Sequence, residues 1–371
     1  MTLADAAGRT ALVVGAGIGG LAAGIALRQS GWEVRVLERT PTLAAPGAGL
    51  SIWPNGVRAL RSLGLDGPVD AAPRSTGALR KADGTELTRF ETVDLQERFG
   101  EPLIGLHRAT LQGALAELLG PDRIRTGAAV SGLADGGVLL ADGTEEHAEL
   151  VVGADGIRSA VRAAVLGDGE PEDSGTVAFR GVAPMPGEEL PAGEWWGPGC
   201  VAGLLQLPED RVYWYVAFRG DVGDQEAMEA HLSDFAPVMR KVVARTAPRE
   251  VLSHRLYDRE PAERWTAGQT TLLGDAAHPM LPFLGQGANA ALEDAAALGR
   301  AMEDAPDMPA GLRAYEAARV EPAARLVKGS RQAARFALAG SAPARAVRNA
   351  IVRLLPPRTR LRQLDRLIGR P

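Results

Sequence analysis

The feature that most constrains this chain lies within its first forty residues. A short apolar run, Thr10-Ala11-Leu12-Val13-Val14, passes directly into Gly15-Ala16-Gly17-Ile18-Gly19-Gly20. A helical pattern follows through Leu21, Ile25 and Leu27 to Gly31, and a second strand-like run, Glu33-Val34-Arg35-Val36-Leu37, ends at Glu38. Strand, glycine turn, helix and strand in this order form a βαβ unit, which belongs in a parallel sheet covered by helices. In Gly15-x-Gly17-x-x-Gly20 the first glycine makes the tight turn, the second lets backbone approach a pyrophosphate, and the third lets helix pack on strand. Phosphates then rest on the helix N-terminus, where unpaired N–H groups and the dipole favour anions. Glu38 closes the second strand where a carboxylate can accept hydrogen bonds from both hydroxyls of an adenosine ribose. A packed βα turn alone would need the glycines but not the terminal acid, so a dinucleotide site is the better reading, with Ile18, Gly19 and Arg39 as further candidate contacts.

The choice between NAD and FAD rests on a second region. Thr271-Leu272-Leu273 reads as a buried strand closed by Gly274-Asp275, which lets a carboxylate reach a hydroxylated chain such as ribitol. Gly285-Gln286-Gly287-Ala288-Asn289 then opens an alanine-rich helix, whose free N–H groups could face the N1–C2=O edge of a flavin and stabilise its reduced anion. The stretch from Gly285 to Ala290 also matches GxGxxA, but Pro282 and Phe283 precede it in place of a strand, so it is not a second dinucleotide turn.

Between these regions, 51–64 reads as a helix, 77–90 as a hairpin around Asp83-Gly84, and 110–119 as a helix capped at Thr110 and stopped by Gly120-Pro121. Strands near 138–140 and 150–153 bring the chain back to the first sheet, the latter running into Gly153-Ala154-Asp155-Gly156-Ile157-Arg158-Ser159. From 174 to 265 strands alternate with Pro/Gly turns and include Val212-Tyr213-Trp214-Tyr215-Val216-Ala217-Phe218, where Tyr213 and Tyr215 share one face and Trp214 takes the other. Mostly helix follows residue 288.

Composition narrows the function classes. At 371 residues about two domains are expected, with a ligand crevice between them. The single cysteine, Cys200, excludes an internal disulfide, a Cys-rich zinc site and a CxxC pair, and it lacks a basic neighbour to activate it. His107, His147, His231 and His254 show no metal-ligand spacing, and His278 reads as a structural imidazole near the flavin loop. Residues 341–371 hold eight arginines and one acid, so the net charge of −5 divides into +7 there and −12 elsewhere. A terminal amphipathic helix laying its arginines along an acidic body accounts for this without nucleic acid. Without a basic leader or a long apolar stretch, a cytoplasmic protein with no stable membrane insertion is expected. The 45 glycines exceed typical usage of about 7%, and eleven of them (15, 17, 19, 20, 47, 49, 153, 156, 274, 285 and 287) fall in candidate cofactor loops.

Three motifs in order, Gly15–Gly20 with Glu38, Gly153–Ser159, and Gly274–Pro279 with Pro282 and Gly285–Asn289, resemble those of the single-component FAD-dependent aromatic hydroxylases built like p-hydroxybenzoate hydroxylase. The resemblance implies an α/β fold: a Rossmann-like FAD-binding domain (1–72, 103–173, 266–335) interleaved with a β-sheet substrate domain (73–102, 174–265), followed by a basic helical segment (336–371). It implies that Arg108 contacts FAD, that Asp155 supports both FAD and NADPH use, that Asp275 holds the ribitol, and that the Pro282 carbonyl lies near the reacting substrate. NADPH or NADH would reduce FAD, O2 would add to give a C4a-hydroperoxyflavin, and its distal oxygen would attack an electron-rich ring. Such chemistry requires a dry, mostly apolar pocket, for which Tyr213, Tyr215 and Phe283 beside Pro282 are the candidate lining. Bacterial FAD-dependent urate hydroxylases carry an acid at the position of Phe283, so an apolar residue argues against urate. A small aromatic or polycyclic substrate and O2 are the expected partners, with a monomer or homodimer as the expected assembly. Epoxidation, Baeyer–Villiger-type or antibiotic-modifying oxidation on the same fold is an alternative, and a non-redox FAD-bound cyclase or scaffold is an alternative of another class.

Overall fold

The computed structural model describes residues 9–43, 48–75, 77–90 and 92–369, so Gly47 and Arg370 lie outside the described residues. The chain opens with β1 (Thr10–Val14), α1 (Ile18–Gln29) and β2 (Glu33–Leu37), then β3 (Gly49–Ile52), α2 (Pro54–Ser62) and α3 (Asp66–Asp70). The hairpin β4 (Gly77–Lys81) and β5 (Glu86–Phe90) precedes α4 (Thr92–Phe99), β6 (Ile104–His107), α5 (Arg108–Leu119) and β7 (Ile124–Arg125). A small meander, β8 (Val130–Ala134), β9 (Gly137–Leu140) and β10 (Glu145–His147), leads to β11 (Leu150–Gly153) and α6 (Ala160–Leu166).

The next stretch holds β12 (Glu172–Pro184), β13 (Gly193–Trp196), β14 (Cys200–Leu207), β15 (Arg211–Arg219), α7 (Gln225–Ser233), α8 (Pro237–Ala244) and β16 (Leu252–Asp258). β17 (Thr266–Ala267), β18 (Thr270–Leu272), α9 (Gly287–Asp304), α10 (Met308–Ala337), α11 (Ala342–Leu354) and α12 (Pro357–Ile368) complete the chain.

Two large sheets result. The first runs β17-β18-β11-β1-β2-β7, with β1 parallel to both β2 and β11, and β11 parallel to β18. Every residue of β1 is buried, as expected for a strand covered on both faces. Full burial of a Leu or Val such as Leu12 or Val13 contributes about 1.5–3 kcal/mol. α1 packs tightly against α9, which explains the alanine richness of both helices: a Cβ on Gly299 would stand 2.8 Å from that of Ala26. The second sheet runs β16-β12-β15-β14-β13-β4-β5 and is antiparallel except at the β13–β4 pairing. Its outer face packs on α7 and α8 through Phe179, Trp195, Trp214, Met228 and Met239.

Two expectations need correction. Residues 51 and 52 belong to β3, which pairs with β6, and the helix starts only at Pro54, a residue that fits a first helical turn because its missing N–H would be unpaired there anyway. The helix expected over 110–119 begins at Arg108, after His107, with no side-chain cap, so Thr110 does not cap it.

Candidate active site

A cavity of about 1200 Å³ runs from the glycine turn after β1 to the inner face of the second sheet. Gly15 has φ +104°, and a Cβ there would stand 2.4 Å from the Ala154 carbonyl oxygen. Gly20 faces the turn instead of the cavity, since its Cβ would meet the Gly15 oxygen at 1.9 Å. Nothing lies within 4 Å of a Cβ at Gly17, and no side chain caps α1, so the first N–H groups of that helix are left for a ligand. Glu38 stands at the rim with one oxygen accepting the Ala16 N–H at 2.8 Å and the other accepting both the N–H and the hydroxyl of Thr40 at 2.9 Å. Ile18, Gly19 and Arg39 also line this end.

Two further loops complete the wall. Asp155 accepts the Ala160 N–H at 2.8 Å and the Ser159 hydroxyl, while Ser159 caps α6 by accepting the Arg162 N–H at 2.8 Å. Burial pushes the Asp155 carboxyl up, and these donors oppose the shift. Asp275 projects into the cavity between the buried Gly274 and Ala276, and Arg108 projects from α5 nearby. Arg108 lines the cavity wall. Enclosure lowers its pKa, and the charge of Asp275 works against that.

The Gly274–Ala277 loop is gripped from behind by residues that the sequence did not single out. Arg162 donates to the carbonyls of Ala276 at 2.9 Å and Ala277 at 2.8 Å. Asp294 on α9 accepts the Gly274 N–H at 3.1 Å, His278 Nε2 at 2.5 Å and Arg319 Nε at 2.7 Å. Burial alone would raise the Asp294 carboxyl, but His278 and Arg319 outweigh it and hold it at about 2. The signal for Asp294 was present, because it is a charge on the same helical stripe as the buried Ala290, Ala291, Ala297 and Leu298. Gly285, Gly287 and Ala288 border the cavity at the uncapped start of α9. The Asn289 side chain turns away from it, accepting the Trp53 N–H at 2.9 Å and donating to Ser51 and Gly285 carbonyls at 3.1 and 2.8 Å.

At the far end, Pro282, Phe283, Tyr213 and Tyr215 all border the cavity, with the two tyrosine rings 5.9 Å apart. Trp214 is buried on the opposite face, its indole N–H donating to Thr246 at 2.7 Å. Arg180, Glu194 and His254 also face this end and were not anticipated, although Arg180 alternates with the buried Val177, Phe179 and Gly181 along β12. Cys200 is buried, which pushes its thiol up and leaves it unreactive. Among the described residues no cluster could hold a metal ion, and no helix is long and apolar enough to cross a membrane.

Residues 9–330 match the family model described as an FAD binding domain. The chain is 39% identical to the aurachin C monooxygenase/isomerase of Stigmatella aurantiaca, over 87% of this chain and 88% of that one. It is 34% identical to an FAD-dependent urate hydroxylase of Klebsiella pneumoniae, with the same coverage of each. The crystal structure of Klebsiella pneumoniae HpxO with FAD and uric acid superposes with a TM-score of 0.88 at 29% identity, covering 97% of this chain and 96% of that one.

Proposed function

The chain belongs to the FAD binding domain family and is an FAD-dependent monooxygenase of aromatic substrates; from that premise we propose that it uses NADPH or NADH and O2 to hydroxylate a small aromatic or polycyclic ring. The observation carrying this reading is that one cavity joins the glycine loops to the Tyr213, Tyr215 and Phe283 wall. At about 1200 Å³ it exceeds the roughly 300–1,000 Å³ of an ordinary small-molecule pocket, leaving room for a dinucleotide and a ring end to end. The cradle fits FAD on chemical grounds as well. Glycine turns permit close backbone approach, two uncapped helix starts offer N–H groups to anionic oxygens, and Glu38 and Asp275 offer carboxylates to hydroxyls.

Bound FAD supplies the redox chemistry that side chains lack. The residues of this chain bind, orient and dry it. The first turn of α1 takes the pyrophosphate, Glu38 the ribose, and Asp275 with Arg108 the ribitol. Gly285, Gly287 and Ala288 present α9's free N–H groups to the flavin's pyrimidine edge, where negative charge develops on reduction. Asp155 fixes the loop that shapes the same wall. Phe283, Tyr213 and Tyr215 exclude water from the reacting ring and hold it within reach, with the Pro282 carbonyl close by. The apolar Phe283 argues against urate as the substrate. The interleaved division at 72, 102, 173, 265 and 335 is part of this proposal, supported by two sheets that each draw on separated stretches of chain.

The test is purification with FAD followed by NAD(P)H oxidation in the presence of aromatic rings. Flavin retention, ring-stimulated NAD(P)H consumption and a product one oxygen heavier are expected. A flavin band that NAD(P)H never bleaches would overturn the reading in favour of a non-redox scaffold.

A further inference from the structure

The second sheet presents charges to the cavity that cofactor binding does not use. Its register places Leu252, Arg180, Tyr215, Gly203, Glu194 and Leu79 side by side in one row across β16, β12, β15, β14, β13 and β4. Cross-strand partners share a face, and every member of the row except Gly203 borders the cavity.

Arg180 stands next to one end of this row, beside Leu252. Its Nε is buried without a hydrogen-bond partner, and its guanidinium makes no ion pair among the described residues. It lies beside the Tyr213 hydroxyl and near His254, whose pKa is lowered to about 4 by burial and by Arg180 itself. The neighbouring cation, Arg108, has Asp275 to answer it. Among the described residues, the Arg180 guanidinium thus faces the void with no carboxylate in ion-pair contact.

Glu194 stands toward the other end. It accepts the Tyr215 hydroxyl on one oxygen and the Trp196 indole N–H at 3.1 Å on the other, and no cation pairs with it among the described residues. A carboxylate has about four acceptor sites, so these two donors leave room for more. The contact with Tyr215 depends on Gly203, because the tyrosine ring crosses β14 where a Cβ at 203 would stand 2.3 Å from Cζ. Three strand spacings of about 4.8 Å set Arg180 and Glu194 roughly 14 Å apart along the row. Burial pushes the Glu194 carboxyl up, and its two donors oppose the shift. An enclosed cation and an enclosed carboxyl that do not pair are costly to a folded chain, and a ligand that meets both removes that cost.

We propose that Arg180 and Glu194 are the two poles of the substrate receptor, taking a flat two-ring aromatic with an acidic oxygen at the Arg180 pole and a ring N–H donor at the Glu194 pole. The inference rests on the monooxygenase reading for the site and adds the substrate class. The acidic oxygen can come from a carboxylate or a phenol, and the probes separate the two.

The experiment uses the FAD-loaded full chain and reads ligand-induced change in the flavin band. The probes are indole-5-carboxylate, its N-methyl derivative and 5-hydroxyindole. Wild type is expected to bind indole-5-carboxylate at least tenfold more tightly than its N-methyl derivative, and the tighter of indole-5-carboxylate and 5-hydroxyindole identifies the oxygen. Glu194→Gln is expected to reduce that preference below threefold. Arg180→Gln is expected to weaken both acidic probes at least tenfold while the N–H preference survives. Equal binding of the N–H and N-methyl carboxylates, unchanged discrimination in Glu194→Gln, unchanged affinity in Arg180→Gln, or no binding of any probe to flavin-loaded protein overturns the proposal. The N-methyl comparison needs no variant, so a folding defect in either substitution leaves it decisive. Failure of the monooxygenase reading shows separately, as lost flavin or absent oxygen incorporation.

Discussion

A single hydrogen atom at position 203 decides where Tyr215 lies. Gly203→Ala puts a methyl group 2.3 Å from Cζ of that ring, so the ring must leave the notch and release Glu194. Overpacking of this kind costs about 1–3 kcal/mol. Chemical denaturation should show that loss in Gly203→Ala, and far less of it when the same change is made in a Tyr215→Ala background. Asp275 and Asp294 separate by a different measurement. If Asp275 holds the ribitol as proposed, Asp275→Ala removes a charge-assisted hydrogen bond worth about 1.5–3 kcal/mol, so the FAD Kd should rise roughly 10- to 100-fold with the unfolding midpoint of flavin-free protein unchanged. Asp294→Asn leaves Arg319 with Glu293, at 3.3 Å, as its remaining carboxylate, so the loss falls below the about 3–5 kcal/mol of a fully broken buried pair. Flavin-free protein should therefore unfold at lower denaturant, and flavin retention should fall with it because an amide has one acceptor oxygen where Gly274 and Arg319 use two. At this scale the sequence is legible where a residue's task needs backbone alone, as at Gly15 and Gly17. It is illegible where the task needs a partner far along the chain: nothing near Arg162 announces that it will hold Ala276 and Ala277.

Elements that repeat a local pattern were readable, and elements defined by what they lean on were not. β2 and the β4–β5 hairpin fall where alternation and Asp83-Gly84 put them, because strand period and turn chemistry are local. β3 was hidden inside an apparent helix because its partner, β6, arrives some fifty residues later. The basic C-terminus shows the same limit. The expectation of arginines laid along an acidic surface is not what these contacts show: the ion pair at α12 runs the other way, from Arg98 of α4 to Asp365 of the tail, and Arg348 on α11 is almost fully buried. It donates to the Ala337 carbonyl at 2.6 Å, capping the end of α10, and its guanidinium lies 5.2 Å from the centre of the Trp196 ring. Trp196 in turn holds Glu194. α12 seats Leu364 and Ile368 against Leu95, Phe99 and Leu103. Arg348→Ala should cost about 2 kcal/mol through lost packing and capping, read as a lower unfolding midpoint. Ending the chain at residue 340 should lower it further and weaken ring binding without abolishing FAD binding, since the cofactor loops all precede that point.

For the molecule as a whole, acid is the informative stress. Burial lowers the pKa of His107, His231 and His254, the last to about 4. Between the ordinary histidine value near 6.5 and these lowered values the unfolded chain binds more protons than the folded one, so stability falls as pH falls through that window. Asp294, held at about 2 from an ordinary 3.8, contributes stability above pH 4 that disappears only between about 4 and 2. Melting temperatures should therefore begin to drop below about pH 6.5, and His254→Gln should flatten the part of that drop between 6.5 and 4. The overall architecture was legible because three glycine motifs, read together, fix one long cofactor. The substrate wall was not, because its row of charges is assembled by register across strands whose residues run from 79 to 252. The first sheet follows the same principle and leaves its mark on biosynthesis. β1 lies between strands that begin at residues 33 and 150, and β18 is not made until residue 270. Synthesis proceeds at roughly 5–20 residues per second, so for some tens of seconds a nascent chain carries its pyrophosphate turn with no flavin wall to complete it. The cradle proposed for FAD therefore receives its last glycine loop, at Gly285 to Ala288, only after most of the chain has been made.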